Sequence, residues 1–417
     1  MKITIITVGS RGDVQPYLAL GVGLQQAGYT VRLATHDTFK DLTLRYGLDF
    51  FSVGGDIQSI SQGESGQQMT EAGGNPFTAL KRLGKVLEPV MRQSMQESWL
   101  ACQDAELVIG GGTAFWGYYI AQQLNLPFFF TALQPIYPTG SFPNPILPRW
   151  LRLGGWVNRR SYILICELFW QLFRESINRW HVETMGQAPC TKSFFAMDEW
   201  HQLPKLFGYS PSVVPTPQDW NESCHVTGYW FLDSPDDFVP PPKLLDFLES
   251  GEPPIYIGFG SMASRNPEQI TTIALKALEK TKQRGILLTG WGGISNVDLP
   301  EQVFKLESIP HDWLFPRMKA IVHHGGAGTT AAALKSGIPS IAIPFFVDQP
   351  FWGDRVAKLG VSPQPIPKKQ LTVNRLAHGI QKAIADQSMR QQAAQLGETI
   401  RSEDGIGEVI KVIQQIK

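Results

Sequence analysis

Cysteine is scarce in this chain: four residues in 417, Cys102, Cys166, Cys190 and Cys224, with no C-x-x-C pair. That spacing excludes a zinc cluster and a dense disulfide framework, and it predicts reduced, structural thiols in a cytoplasmic setting. Net charge is absent as well, with 37 Lys+Arg against 37 Asp+Glu, so no global charge points to a nucleic-acid partner. No apolar run reaches the roughly 18 residues of a membrane span. The nearest approach, Tyr162–Phe173, is broken by Glu167 and Gln171. The opening apolar stretch, Ile3–Val8, stops at Gly9-Ser10-Arg11 and is too short for a signal-peptide core. There is no D-x-D triplet, which weakens a metal-dependent alternative.

What is present is a foldable composition, 43% hydrophobic and 18% charged. Its length suits two domains of roughly 200 residues each. Ile3–Val8 reads as a buried strand. Pro16 is placed to open a helix whose apolar positions are Leu20, Gly23, Leu24 and Ala27, Gly28 ends it, and Thr30–Thr35 reads as the next strand. Such a unit implies a right-handed crossover and a parallel sheet. The rhythm breaks at Ser234–Pro242, where three consecutive prolines predict an extended linker. It then restarts with strands at Ile255–Phe259, Ile286–Thr289, Val303–Ser308, Ala320–His323 and Ser340–Pro344, and with helices at Glu268–Lys282, Gly328–Lys335 and Phe351–Leu359. The expected organisation is an α/β protein with an N-terminal Rossmann-like domain (1–233), a Pro-rich linker (234–243), a second Rossmann-like domain (244–400) and a helical tail (401–417). Ligands should lie in the cleft at the carboxyl ends of the strands.

Two constellations carry chemistry. In Ala320–Leu334 an apolar strand runs into His323-His324-Gly325-Gly326-Ala327-Gly328-Thr329-Thr330 and then into an alanine-rich helix. Glycines let backbone approach a ligand, and the unpaired N–H groups of a helix start favour an anion. The histidine and the threonines can add donors toward phosphate oxygens. The plain alternative is a tight helix cap with no ligand. Farther along, Asp348-Gln349 sets a carboxylate beside an amide, a pair suited to vicinal sugar hydroxyls; alone, Asp348 is equally an N-cap.

Ile309–Phe315, His323–Thr330 and Asp348–Val356 together resemble the donor-binding signature of UDP-glycosyltransferases, and Gly9–Pro16 is similar to the sterol 3β-glucosyltransferase branch and its antibiotic-glycosyltransferase relatives. The resemblance covers nearly the whole chain, with little of it in 135–230. It implies a GT-B architecture, two facing Rossmann-like domains with parallel sheets and an inter-domain cleft. It makes Asp13 the general base, although Asp13 by itself reads equally as an N-cap ahead of Pro16. It assigns diphosphate contacts to His324, Gly326, Gly328, Thr329 and Ser261, and hexose contacts to Asp348 and Gln349. It sets the nucleobase pocket at Ser308, Ile309, Pro310 and His311, where plant relatives carry a stacking tryptophan in place of Ser308; Trp291 and Trp313 are the nearby aromatic substitutes. Ser10, Arg11 and Gly12 join the donor side. No cofactor is implied beyond the UDP-sugar co-substrate, and the tail is expected to cross back onto the first domain.

For an apolar alcohol acceptor the sequence offers the aromatic stretch between 60 and 190, with Phe115, Trp116 and Tyr137 as candidate contacts and Phe128–Phe130 as core. Residues 146–180 mix aromatics with arginines. They suit either a surface that meets lipid headgroups or an insertion helix pair with its aromatics turned inward. The expected activity is inverting, metal-independent hexosyl transfer to a sterol-like lipid. A polyketide, peptide or phenolic acceptor is the nearest alternative, and a nucleotide-sugar epimerase the alternative of another class. A nicotinamide oxidoreductase is disfavoured because Gly9–Asp13 is no G-x-G-x-x-G fingerprint.

Overall fold

Strand β1 (Lys2–Ile6) is the hub of the first domain, and its Ile3, Ile5 and Ile6 are fully buried, as a central parallel strand covered on both faces requires. The computed structural model describes residues 1–54, 76–147, 154–235, 237–259, 267–289, 299–345 and 347–415. With β2 (Thr30–Thr35), β3 (Asp49–Ser52), β4 (Leu107–Gly111), β5 (Phe128–Ala132), β6 (Lys205–Phe207) and β7 (Cys224–Val226) it forms a seven-stranded sheet in the order β3-β2-β1-β4-β5-β6-β7. In the second domain β8 (Ile255–Gly258), β9 (Gly285–Leu288), β10 (Val303–Leu306), β11 (Ala320–His323) and β12 (Ser340–Ala342) give a five-stranded sheet in the order β10-β9-β8-β11-β12. Every pairing in both sheets is parallel. Strand order reverses beside β1 in one sheet and beside β8 and β11 in the other. The loops leaving β1 and β11 therefore open into crevices, where ligands of open α/β sheets bind.

Local chemistry revises some boundaries. The first helix runs Arg11–Gln26 and begins five residues before Pro16, which lies inside it. Ser10 at the N-cap and Asp13 three residues on satisfy the first-turn donors, so the helix starts there, and Pro16 forgoes a single backbone bond near its beginning. Only the first part of the proline run is extended: Pro242 opens helix Pro242–Glu249, a position where its missing N–H is no loss.

Across 146–180, read as either a lipid-facing surface or a helix pair, the described residues include a 31-residue helix, Gly155–Met185, closed by Gly186 in the left-handed conformation. Trp170, Phe173, Ile177 and Trp180 are buried, while Trp156, Ile163, Leu164 and Phe169 are exposed. No helix among the described residues is long and apolar enough to cross a membrane.

The last helix, Gly405–Gln414, lies on the first domain. Val409 and Ile413 share a core with Ile3, Ile5, Val31 and Leu24. Ser210 and Ser212 both donate to Glu403 Oε1, at 2.6 and 3.0 Å. At Gly405 a Cβ would stand 2.5 Å from the Tyr229 carbonyl oxygen and 2.7 Å from the Gly228 carbonyl carbon, both of them backbone. Gly405→Ala is therefore expected to cost ~1–3 kcal/mol by overpacking. A thermal melt with an unchanged midpoint would remove this contact from the list of what anchors the helix.

Candidate active site

Two loops, one from each sheet, face the cleft. In the first, Gly9 sits at φ +137°, and a Cβ there would stand 2.6 Å from Asp13 Oδ2, so both conformation and space demand glycine. Its N–H donates to His36 Nε2 at 3.0 Å; the His36 proton therefore sits on Nδ1, which donates to the Val53 carbonyl at 2.9 Å. Asp13 Oδ2 accepts from both the Ser10 N–H and the Ser10 hydroxyl, each at 2.8 Å. Thr7 Oγ1 donates to the Asp13 carbonyl at 2.9 Å. Desolvation by the surrounding protein pushes the Asp13 carboxyl above the ordinary carboxylate range, and the Ser10 donors and nearby His36 pull it part of the way back. Asp13 is therefore not the N-cap, which is Ser10, but the third residue of the helix, and one of its carboxylate oxygens is spent on the donors of Ser10. Arg11 and Gly12 open the same helix with exposed surface, Arg11 Nε donating to Gln15 at 2.9 Å.

The second loop joins β11 to helix Ala327–Ser336, whose N-cap is Gly326 and whose first turn has no side-chain cap. Gly325 has φ +86°, and a Cβ there would meet the Gln349 carbonyl at 3.1 Å; at Gly328 it would meet nothing within 4 Å. Backbone N–H groups at this helix start are thus laid bare beside open space, the condition for holding an anion. His323 Nε2, His324 Nδ1 and Thr330 Oγ1 are buried with no hydrogen-bond partner among the described residues. Thr330 is turned into the protein, whereas Thr329 and Gly328 retain exposure. Unpaired buried polar atoms are costly, and of these three only His324 keeps an edge at the cleft, where a polar ligand could satisfy it.

Burial lowers all three histidines near this turn, His323 to about 3 and His311 and His324 to about 4, from an ordinary 6.5. They are neutral in the folded protein at physiological pH. Unfolding lets them take up protons below 6.5, so stability is full above that pH and falls as pH drops toward 4. His323, wholly enclosed, should dominate, because His311 and His324 keep an edge at the cleft. Thermal midpoints are expected to decline through that window in wild type and to decline less in His323→Gln. Parallel slopes for the two proteins would exclude His323 as the source.

His311 stacks on Phe315 at 4.2 Å, lies 3.3 Å from the Tyr256 hydroxyl, and is close enough to Arg11 to feel its charge. Pro310 caps its short helix, Ile309 is buried and Ser308 is exposed. Trp313, one of the two aromatic substitutes, is engaged instead by Phe238, with ring centroids 5.9 Å apart, and by the Arg317 guanidinium over its ring at 4.2 Å. Ser261 and Trp291 lie outside the described residues.

Asp348 occupies the N-cap position of helix Gln349–Lys358 but caps nothing with its side chain. Its Oδ2 accepts from the Trp352 indole N–H at 2.9 Å and from the Gln134 amide at 3.1 Å. Burial raises its carboxyl above the ordinary range; those donors pull it down, and the nearby charge of Asp13 raises it further. Asp13 and Asp348 therefore face one another across the cleft. The Gln349 side-chain oxygen, Oε1, accepts from the Phe345 N–H at 2.8 Å.

The aromatic candidates for the acceptor are buried. Phe115, Trp116 and Tyr137 are at most 8% exposed and pack in the core. Trp116 donates to Ser98 Oγ at 3.1 Å, and the Tyr137 hydroxyl lies 2.8 Å from His201 Nδ1. Three residues that sequence reading passed over matter at the site: His36, Gln134 and Trp352. The place of His36 just after β2, at the carboxyl end of a strand, could have flagged it; nothing local marks Gln134.

Residues 3–143 match the glycosyltransferase family 28 N-terminal domain, and 292–416 match the C-terminal domain described as erythromycin biosynthesis protein CIII-like. The sterol 3-beta-glucosyltransferase UGT80A2 of Arabidopsis thaliana is 37% identical over 99% of this chain and 65% of its own length. UGT80B1, a sterol 3-beta-glucosyltransferase of the same plant, is 36% identical over 98% of this chain and 67% of its own. A Cryptococcus neoformans sterol 3-beta-glucosyltransferase is 37% identical over 99% of this chain but only 27% of its own length. The chain thus spans about two thirds of the plant relatives and about a quarter of the fungal one. In fold it is similar to the calicheamicin glycosyltransferase CalG4, with TM-score 0.70 and 17% identity over 99% of this chain and 97% of that one. It is also similar to the glycosyltransferase VinC in complex with dTDP, with TM-score 0.65 and 17% identity over the full length of both chains.

Proposed function

Because the chain belongs to the glycosyltransferase family that includes the sterol 3-beta-glucosyltransferases, we propose that it moves a hexose, glucose first, from a UDP-sugar to the hydroxyl of a sterol or related apolar alcohol. The observation that carries this reading is the helix start at Gly326–Thr329, which has no side-chain cap and lies beside the unpartnered His324 Nδ1, opposed by Asp13 and Asp348.

In the proposed reaction the acceptor oxygen attacks the hexose anomeric carbon from the side opposite the diphosphate. The carbon–oxygen bond to the diphosphate breaks, the configuration inverts, and the acceptor proton passes to Asp13. An ordinary carboxylate is a weak base toward an alcohol, but the alcohol acidifies in the transition state, and such assistance contributes ~10² to 10⁴. Negative charge collects on the departing UDP, where the N–H groups of the turn, neutral His324 and the Arg11 side of the cleft can meet it without a metal ion. Asp348 and the Gln349 NH₂ group would hold the hexose hydroxyls, with Ser308–His311 beside the nucleobase.

The same reading includes a cytoplasmic protein that touches a membrane surface through helix Gly155–Met185. Its support is the exposed set Trp156, Ile163 and Leu164, with the Arg160 guanidinium over the Trp156 ring at 5.0 Å. On the other side of that helix Asn158 donates to the Gly140 carbonyl at 2.8 Å and Tyr162 to that of Phe142 at 3.3 Å. Phe142 in turn meets Phe351 of the second domain at 5.7 Å, so the greasy outer face backs onto a wall of the cleft.

A matrix of UDP- and dTDP-sugars against sterol, hopanoid and phenolic acceptors, read by mass spectrometry, tests the assignment. The expected product is a steryl glucoside from UDP-glucose. Transfer to phenolics alone would move the acceptor to the natural-product class, and an altered sugar nucleotide from donor alone would make the protein an epimerase.

A further inference from the structure

Asp348 is held from both domains. The Trp352 indole, one helical turn along its own helix, and the Gln134 amide of the opposite domain both donate to Oδ2, at 2.9 and 3.1 Å. Gln134 is well placed to be a fixed donor. It follows β5 directly, Leu133 before it is anchored in the core with Trp230, and its own carbonyl accepts from the Ile136 N–H at 2.9 Å. Two donors converging on one oxygen fix the plane of the carboxylate and leave Oδ1 as the atom that a hydroxyl would meet. They also supply what a desolvated carboxylate beside a second one, Asp13, needs in order to stay ionised.

We propose that Gln134 is a positioning residue for the donor hexose: its amide aims the Asp348 carboxylate from across the cleft, so that sugar recognition is completed only when the two domains stand in this relation. This rests on the reading of Asp348 as a hexose contact. Nucleotide binding, by contrast, draws on the glycine turn of the second domain and the Arg11 side of the first, and makes no use of Gln134.

The test is calorimetric titration of the full chain and of Gln134→Ala with two probes, UDP-glucose and UDP, at several pH values. A hydrogen bond to a charged group sets the scale, so Kd for UDP-glucose is expected to rise about tenfold in the variant while Kd for UDP stays within about twofold. The pH below which UDP-glucose binding weakens should also move upward, because Asp348 has lost a donor to its ionised form; a merely structural contact would not move it. Gln134→Glu, which sets a like charge against Asp348, should weaken UDP-glucose more than alanine does. If both probes weaken equally, or the ratio of the two constants is unchanged, Gln134 does not position the sugar contact and the proposal is overturned. Failure of the wild-type chain to bind either probe would instead overturn the donor assignment itself.

Discussion

Asp13→Asn is expected to reduce kcat at least about a hundredfold while leaving UDP-glucose affinity near that of the wild type, as the loss of a general base requires. Asparagine is the informative replacement because its carbonyl oxygen can still accept from the Ser10 N–H, as Asp13 Oδ2 does at 2.8 Å. The helix start and the thermal midpoint should therefore survive, and only the proton acceptor is lost. A pH profile adds a second reading. The folded-state carboxyl is raised above 3.8, and the base acts only when ionised, so activity should be lost as pH falls through that raised value. This acid limb should be missing from the residual activity of the variant. Retention of most of the turnover, with the limb in place, would take Asp13 out of the reaction and leave it as a helix cap.

His324→Ala should act on the other half of the site. The ring is neutral, held low at about 4 by burial, and its Nδ1 has no partner among the described residues. It stands at the head of the glycine turn, next to a helix start with no side-chain cap. A hydrogen bond to a charged phosphate oxygen is worth ~1.5–3 kcal/mol, so affinity for UDP and UDP-glucose alike should fall roughly 10- to 100-fold. Because the ring is already neutral, donor affinity should show no step between pH 6 and 8 from this residue, in the wild type as in the variant. Calorimetry that finds unchanged binding of both nucleotides would falsify the diphosphate role. A loss confined to UDP-glucose would shift His324 to the sugar.

These two predictions differ in how far sequence alone could carry them. The turn at Gly325–Thr330 was readable because its meaning is local: an apolar strand, glycines where backbone must turn, then a helix. Asp13 was readable only in part. Its spacing from Ser10 belongs to a helix start, and Pro16 drew the expected start five residues too far along because a proline rule competed with a capping rule. Gln134 was invisible, since its partner Asp348 is 214 residues away and only the meeting of two sheets brings them together. The burial of the aromatics Phe115, Trp116 and Tyr137 was not legible for a related reason, as composition does not say which rings are enclosed. The long helix Gly155–Met185 carries buried rings (Tyr162, Trp170, Phe173, Trp180) and exposed ones (Trp156, Phe169) interleaved along its length, which composition alone does not sort.

The return of helix Gly405–Gln414 to the first domain bears on how motion of this molecule can be watched. Met1 and the final helix belong to the same body, the N-terminal amine pairing with Glu106 at 3.7 Å and Val409 sharing a core with Ile3. A pair of dyes attached near the two termini would therefore report a constant distance however widely the cleft opened. One dye has to sit on the nucleotide half, on an exposed position such as Lys382 or Glu398, for any closure on substrate to register.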